Sequence, residues 1–155
     1  MAIGNNALPA KRAGAALVLI VDDYDDSREM YAEFLELSGF RVCQAHDGGQ
    51  GLVKARQLHP DVIVMDISMP HMNGLEATKQ IRKEIPQSRV LVLSQHDSSH
   101  IVTAAIEAGA AGYVTKSQVA HYLLVALEAV AAGQSFPWTD AEAVPLNGKR
   151  AGVKE

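Results

Sequence analysis

Short, almost purely apolar runs alternate along this chain with segments of helical periodicity, and this alternation restricts the fold more than any other feature. Three of the five runs contain hardly any polar residue, which is typical of parallel strands covered on both faces. Strands that alternate with amphipathic helices predict an α/β fold built on a parallel sheet. The strand-like runs are 16–21, 41–45, 62–66, 89–94 and 112–115.

Five helices are predicted, with limits set by capping residues and by the glycine or proline that follows each segment. In the first helix Ser27 is the expected N-cap, and Gly39 ends the segment. Met30, Phe34 and Leu37 have the i, i+4, i+7 spacing of a buried stripe. The other helices are expected at 49–58, between Leu75 and Pro86, at 99–108 and between Val119 and Gly133.

Length and composition indicate one globular domain with a segment at each end. The chain has 155 residues, of which 48% are apolar and 21% charged, so it belongs to the globular class and not to the disordered one. A net charge of -4 offers no electrostatic attraction for nucleic acid or an anionic membrane. Cys43 is the only cysteine, which excludes an intrachain disulfide and fits a reducing cytoplasm.

We divide the chain into a flexible leader at 1–15, a domain at 16–133 and a C-terminal tail or truncated linker at 134–155. Phe136 and Trp138 in the tail are expected to pack against the domain.

Polar residues stand at the ends of four predicted strands. Asp22 and Asp23 follow the first strand, Asp66 ends the third, Ser94 ends the fourth and Lys116 follows the fifth. Because the carboxyl ends of parallel strands meet at one edge of a sheet, we expect these groups to share a pocket. Three neighbouring carboxylates repel each other, and their oxygen ligands favour Mg²⁺ or Mn²⁺. An aspartate beside such an ion is suited to act as a nucleophile toward phosphorus.

Four motifs together carry a family resemblance: "VDDYDD", "VIVMDISMPHMNGLEA", "VLSQHD" and "AGAAGYVTK". In combination they resemble the CheY-like receiver domain of bacterial two-component response regulators, over about residues 16–133. The resemblance implies a flavodoxin-like (βα)5 doubly wound parallel sheet with strand order 2-1-3-4-5. The last two motifs look most like the subfamily that usually carries a C-terminal LuxR-type helix-turn-helix.

The resemblance also implies roles for the acidic residues. Asp66 looks like the phosphoacceptor, and Asp22 and Asp23 like the pair that holds the metal with it. Asp23 would bind Mg²⁺ directly and Asp22 through water. Ser68 would offer its backbone carbonyl to the metal.

Further roles follow for the residues after the fourth and fifth strands. Ser94 would hydrogen-bond the phosphoryl group, Lys116 would form an ion pair with it, and Tyr113 matches the aromatic switch residue. Gln95 stands where many receivers have alanine or glycine, so its larger side chain could narrow access to the pocket. His96 either tunes attack by water on the phosphoryl-aspartate or is a solvated loop residue.

Structural interpretations compete with these roles. The acidic pair after the first strand also suits the N-terminus of the following helix. Asp66 could cap the third helix, although Asn73 is better placed to do so. Ser94 could be a strand-end hydroxyl, and Tyr113 an aromatic residue that merely favours a strand.

The function implied is that of a phosphorelay receiver, not of a classical enzyme, with at most self-catalysed phosphorylation and dephosphorylation. A cytoplasmic sensor histidine kinase or phosphotransfer protein would donate the phosphoryl group to Asp66. The surface of the fourth helix, fifth strand and fifth helix would then change for protein–protein output. A homodimer could form through that surface or through the first and fifth helices. The 22 residues after Gly133 are too few for a DNA-binding domain, so we expect no nucleic-acid partner for this chain. The net charge of -4 and the lack of an apolar run of about 20 residues predict no membrane partner.

Three alternatives remain. Gln95 keeps open a receiver scaffold that works without phosphorylation. A haloacid-dehalogenase-like phosphatase needs a second acid two residues after the nucleophile, where this chain has Ser68. A nucleotide- or flavin-binding module needs a phosphate-cradling loop after the first strand, where "DDYDDS" stands.

Overall fold

A computed structural model describes residues 15–67, 73–95 and 98–136. Its five strands form one parallel sheet in the order β2-β1-β3-β4-β5, which confirms the predicted flavodoxin-like α/β class and strand order. The strands are β1 Leu17–Val21, β2 Arg41–Ala45, β3 Val62–Asp66, β4 Arg89–Ser94 and β5 Gly112–Thr115.

Five α-helices and one 3₁₀ turn follow the strands. Within the described ranges no helix is both long enough and apolar enough to cross a membrane. The helices are α1 Asp25–Leu37, α2 Gly48–Leu58, α3 Gly74–Glu84, α4 Ser99–Ala108 and α5 Val119–Ala131, and the 3₁₀ turn is Lys116–Gln118.

Helices α2 to α5 begin and end within a few residues of their predicted limits because their end signals operate as expected. The side chain of Asn73 accepts a hydrogen bond from the Glu76 amide at 3.0 Å and caps α3. Gly109, with φ of +103°, ends α4 in the left-handed conformation that favours glycine. Asn73, and not Asp66, therefore caps α3.

The core has two layers, one on each face of the sheet. Successive residues of β1 point to opposite faces, so Leu19 and Val21 pack with α2, α3 and α4 while Val18 and Ile20 pack with α1 and α5. All five residues of β1 are buried. Helices thus cover both faces of the sheet, and the loops that follow the strands lie at its carboxyl edge.

The predicted buried stripe of α1 is wrong. Met30, Phe34 and Leu37 are 58%, 42% and 82% exposed, whereas Tyr31 and Leu35 lie in the core. Both sets have helical spacing, and spacing alone does not determine which set faces the sheet. The packing of α1 on β1 and β2 buries the face that carries Tyr31 and Leu35 and leaves the other apolar stripe exposed to solvent.

Phe136, which we placed in the C-terminal tail, packs against the domain as predicted. Its side chain is 2% exposed, and its ring centroid lies 6.1 Å from that of Tyr122. Its backbone amide donates to the Ala111 carbonyl at 3.0 Å. The packed body therefore extends beyond α5, while Trp138 lies outside the described residues.

Burial changes the pH at which the thiol of the single cysteine ionises. Burial raises the pKa of the Cys43 thiol to about 11. Because only the thiolate reacts, we expect alkylation by iodoacetamide at pH 8 to be about a hundredfold slower in the native protein than in urea. Intact-mass time courses measure both rates, and similar rates would contradict this assignment.

Candidate functional site

Four of the predicted site residues meet at the carboxyl edge of the sheet. Asp22 and Asp23 follow β1, Asp66 ends β3, and Lys116 follows β5. Each of the three aspartates offers an oxygen within 4.8 Å of the others. Asp22 and Asp66 are buried and Asp23 is exposed, so the cluster opens to solvent on one side.

Lys116 connects the two buried carboxylates. Its Nζ lies 3.6 Å from Asp22 Oδ2 and 3.4 Å from Asp66 Oδ2. Burial lowers the pKa of Lys116, but the charges of Asp66 and Asp22 raise it more, so the net shift is upward. The ammonium therefore stays charged and compensates part of the repulsion between the carboxylates.

The β1–α1 loop holds the Asp22 carboxylate. The Tyr24 amide donates to Oδ1 at 2.9 Å, and the Ser27 hydroxyl donates to Oδ2 at 2.8 Å. The prediction that Ser27 caps α1 is wrong, because the N-cap is Tyr24, which makes no side-chain capping bond. Ser27 already lies within the first turn, three residues past the N-cap, and its hydroxyl instead donates a charge-assisted hydrogen bond to the buried Asp22 carboxylate.

Ser94 and Tyr113 lie in the same part of the sheet. Ser94 is fully buried at the end of β4, opposite Thr115 in the register of β4 and β5. Tyr113 is 2% exposed and belongs to the core layer of α3 and α4. These positions suit both the predicted roles and the structural alternatives, so the roles stay predictions.

The remaining predicted residues divide in two groups. Gln95 is exposed directly after β4, where its side chain stands in solvent. Ser68 and His96 lie outside the described residues.

A cavity of about 420 Å³, which sequence reasoning missed, adjoins the site between α1 and the start of α5. Met30, Tyr31 and Phe34 line one side, and Lys116 and Val119 line the other. Burial raises the pKa of the Tyr31 phenol, partly opposed by Lys116. The sequence did not predict this cavity, because Met30 and Phe34, which line it, were assigned to the buried face of α1.

The donor set fits a hard divalent cation. Three carboxylates converge, two of them buried, and Mg²⁺ prefers such oxygen ligands while it retains several waters. The exposed side at Asp23 leaves room for those waters.

Comparison with known proteins decides the family. Residues 18–128 match the response regulator receiver domain. The chain belongs to that family. The curated relatives that it matches are response regulators, which are signalling proteins rather than classical enzymes. Receiver domains bind Mg²⁺ at an acidic pocket and interact with histidine kinases or phosphotransfer proteins.

Individual relatives agree with this assignment. The response regulator GacA of Pseudomonas viridiflava is 38% identical over 121 residues, which cover 77% of this chain and 56% of the relative. DegU of Brevibacillus brevis is 37% identical, over 77% of this chain and 51% of its own length. The chain thus spans about half the length of the curated relatives it matches.

Solved structures give the same fold. A LuxR-family response regulator from Aurantimonas has a TM-score of 0.79 and 37% identity, and the match covers 84% of this chain and 95% of that one. The receiver domain of the putative regulator NarL from Mycobacterium tuberculosis has a TM-score of 0.72 and 32% identity, with 77% and 98% covered.

Proposed function

We propose that this receiver accepts a phosphoryl group on Asp66 from a phosphohistidine of a sensor kinase or phosphotransfer protein. The observation that carries the proposal is the placement of Asp66 between two acidic neighbours and Lys116 at the carboxyl edge of the sheet. A nucleophilic carboxylate, a cation site and a fixed ammonium are the parts that phosphoryl transfer requires.

In this reaction an Asp66 oxygen forms a bond to phosphorus, and the bond from phosphorus to the donor histidine nitrogen breaks. The nitrogen keeps the electron pair, and because the other ring nitrogen of the phosphohistidine carries a proton, the leaving group is a neutral imidazole. Lys116 lies 3.4 Å from Asp66 Oδ2, so its ammonium is positioned to neutralise charge on the incoming group. A bound Mg²⁺ would supply further neutralisation of the phosphoryl oxygens.

The metal would be held by Asp22, Asp23, Asp66 and the Ser68 carbonyl. Both oxygens of Asp22 already accept hydrogen bonds from Tyr24 and Ser27. This supports contact of Asp22 with the metal through water, and direct contact of the exposed Asp23.

The output we propose is a changed surface on α4, β5 and α5. Ser94 would bind the phosphoryl group and Tyr113 would respond, since both lie on strands that end at the site. Partner proteins or a second copy of the chain would then bind that surface or the faces of α1 and α5. We place the protein in the cytoplasm and assign no nucleic-acid role to this chain.

Intact mass after incubation with acetyl phosphate and Mg²⁺ tests the proposal, with Asp66→Asn as the control. We expect one phosphoryl adduct on the wild type and none on the variant. A folded wild type without an adduct would favour the phosphorylation-independent scaffold instead.

Mg²⁺ should stabilise the native protein. A ligand that binds only the folded state at 100 times its Kd adds about 2.7 kcal/mol, so the melting temperature should rise with Mg²⁺ by several degrees. Differential scanning calorimetry measures the rise, and Asp23→Asn should reduce it. A wild-type melting temperature that stays unchanged up to the highest Mg²⁺ concentration of the titration would contradict the metal assignment.

A further inference from the structure

We propose that Arg28 is a positioning residue for the metal site, an inference that rests on the Mg²⁺ site proposed above. Its guanidinium does not belong to the acidic cluster, yet it contacts three segments around it. Nε donates to Gln44 Oε1 at 3.0 Å, Nη1 donates to the Asp22 backbone carbonyl at 3.0 Å, and Nη2 lies 2.8 Å from Asp25 Oδ1. The side chain is only 12% exposed although it comes from a surface helix.

The contact with the Asp22 carbonyl fixes the peptide plane that joins Asp22 to Asp23. The other side of Asp22 is fixed too, because its amide donates to the Ala45 carbonyl at 3.1 Å. Asp23 is exposed, so the position of its carboxylate depends on the backbone that carries it. Arg28 therefore acts on Asp23 through that peptide.

The contact with Gln44 joins the loop to β2. Lys54 of α2 in turn donates to the Gln44 backbone carbonyl. The guanidinium of Arg28 thereby ties the β1–α1 loop to β2, and Lys54 in turn ties β2 to α2. A planar fork with several donors can hold these partners at once, whereas a lysine ammonium on a flexible stem cannot hold the same geometry.

The charge of Arg28 and its geometry have opposite effects on cation binding. A positive charge on the loop that carries Asp22 and Asp23 repels Mg²⁺, so its removal alone should tighten binding. Loss of the fixed peptide plane should weaken binding, because changes in groups that orient metal ligands typically cost about 10- to 100-fold in affinity. A rise in the Kd for Mg²⁺ would therefore show that the loss of geometry dominates, and a fall would show that the loss of charge dominates.

The contact with Asp25 contributes little to the position of the loop. Asp25 is 73% exposed, and exposed ion pairs have small free energies. The ties to Asp22 and Gln44 are the ones that position the loop.

Isothermal titration calorimetry with Mg²⁺ alone tests the proposal on the full chain. We expect Arg28→Ala and Arg28→Lys to raise Kd by about tenfold. Arg56→Ala is the matched control, because Arg56 pairs with Glu84 between α2 and α3 and should leave Kd unchanged. Exchange of the Tyr24 amide hydrogen, which is bonded to Asp22 Oδ1, gives a second readout in the metal-free protein, and it should be faster in both Arg28 variants.

The outcomes are distinct. An unchanged or lower Kd in folded Arg28→Ala would overturn the positioning role, and so would a wild-type Kd in Arg28→Lys. If Arg28→Ala does not fold, Arg28→Lys carries the test, because it keeps the charge and loses only the fork. A wild type that binds no Mg²⁺ would contradict the proposed metal site itself.

Discussion

Replacement of Gly74 by alanine should destabilise the protein by about 2–3 kcal/mol, the usual cost of forcing atoms into a packed site. A Cβ at Gly74 would overlap the Asp66 carbonyl oxygen and lie 2.6 Å from the Ile67 Cα and 2.9 Å from the Asp66 carbonyl carbon. All three are backbone atoms, which cannot rotate away as a flexible side chain can. The start of α3 would have to move away from the end of β3.

Gly49 provides a matched control on α2. A Cβ there would meet only Asp47 Oδ1, at 3.5 Å, and alanine is favoured over glycine in a helix by about 0.5–1 kcal/mol. Urea unfolding should therefore move the midpoint down for Gly74→Ala and slightly up for Gly49→Ala. Equal urea midpoints for the two variants would show that the close contact of Gly74 with the backbone at the end of β3 is not required for stability.

The Gly74 contact also concerns the site, because Asp66 is the residue whose backbone would be displaced. The folded fraction of Gly74→Ala should accept phosphoryl groups more slowly than the wild type. Gly49→Ala should keep the wild-type rate.

Replacement of Lys116 by methionine should slow phosphorylation of Asp66 by about a hundredfold, the lower end of what the loss of one charge-stabilising donor costs. The reason is geometric, since the Lys116 ammonium lies 3.4 Å from Asp66 Oδ2 and places a positive charge next to the acceptor carboxylate. Quenched time courses with acetyl phosphate and Mg²⁺, read by intact mass, give the rate.

Lys79→Met serves as the control for charge, because Lys79 is an exposed residue of α3 that lies 3.8 Å from Glu76. It should leave the rate unchanged. Circular dichroism of Lys116→Met must show a folded protein, since loss of the ammonium also leaves the Asp22 and Asp66 carboxylates less compensated. A wild-type rate in folded Lys116→Met would remove this residue from the mechanism.

Strand positions and helix ends could be predicted because their causes are local. Apolar runs define β1, β3 and β4, Asn73 caps α3 and Gly109 ends α4. The face of α1 could not be predicted, because two apolar stripes have the same spacing. Which stripe packs depends on how α1 lies against the sheet, and that is a tertiary property.

The meeting of Asp22, Asp23, Asp66 and Lys116 could also be predicted, since it follows from strand ends and parallel topology. The partners of Ser27 and Arg28 could not. Both side chains reach across the β1–α1 loop, and the sequence near Ser27 favours a helix cap equally well. Contacts of this kind depend on the direction of each side chain and not on the spacing of the residues.

Asp66 is the proposed phosphoacceptor, and identification of the modified residue tests this role most directly. The protein would be incubated with acetyl phosphate and Mg²⁺, the acyl phosphate reduced with borohydride, and the peptides analysed by mass spectrometry. We expect homoserine at position 66 and unmodified aspartate at positions 22 and 23. A label on Asp22, Asp23 or a histidine, or no label on a folded protein, would contradict the account.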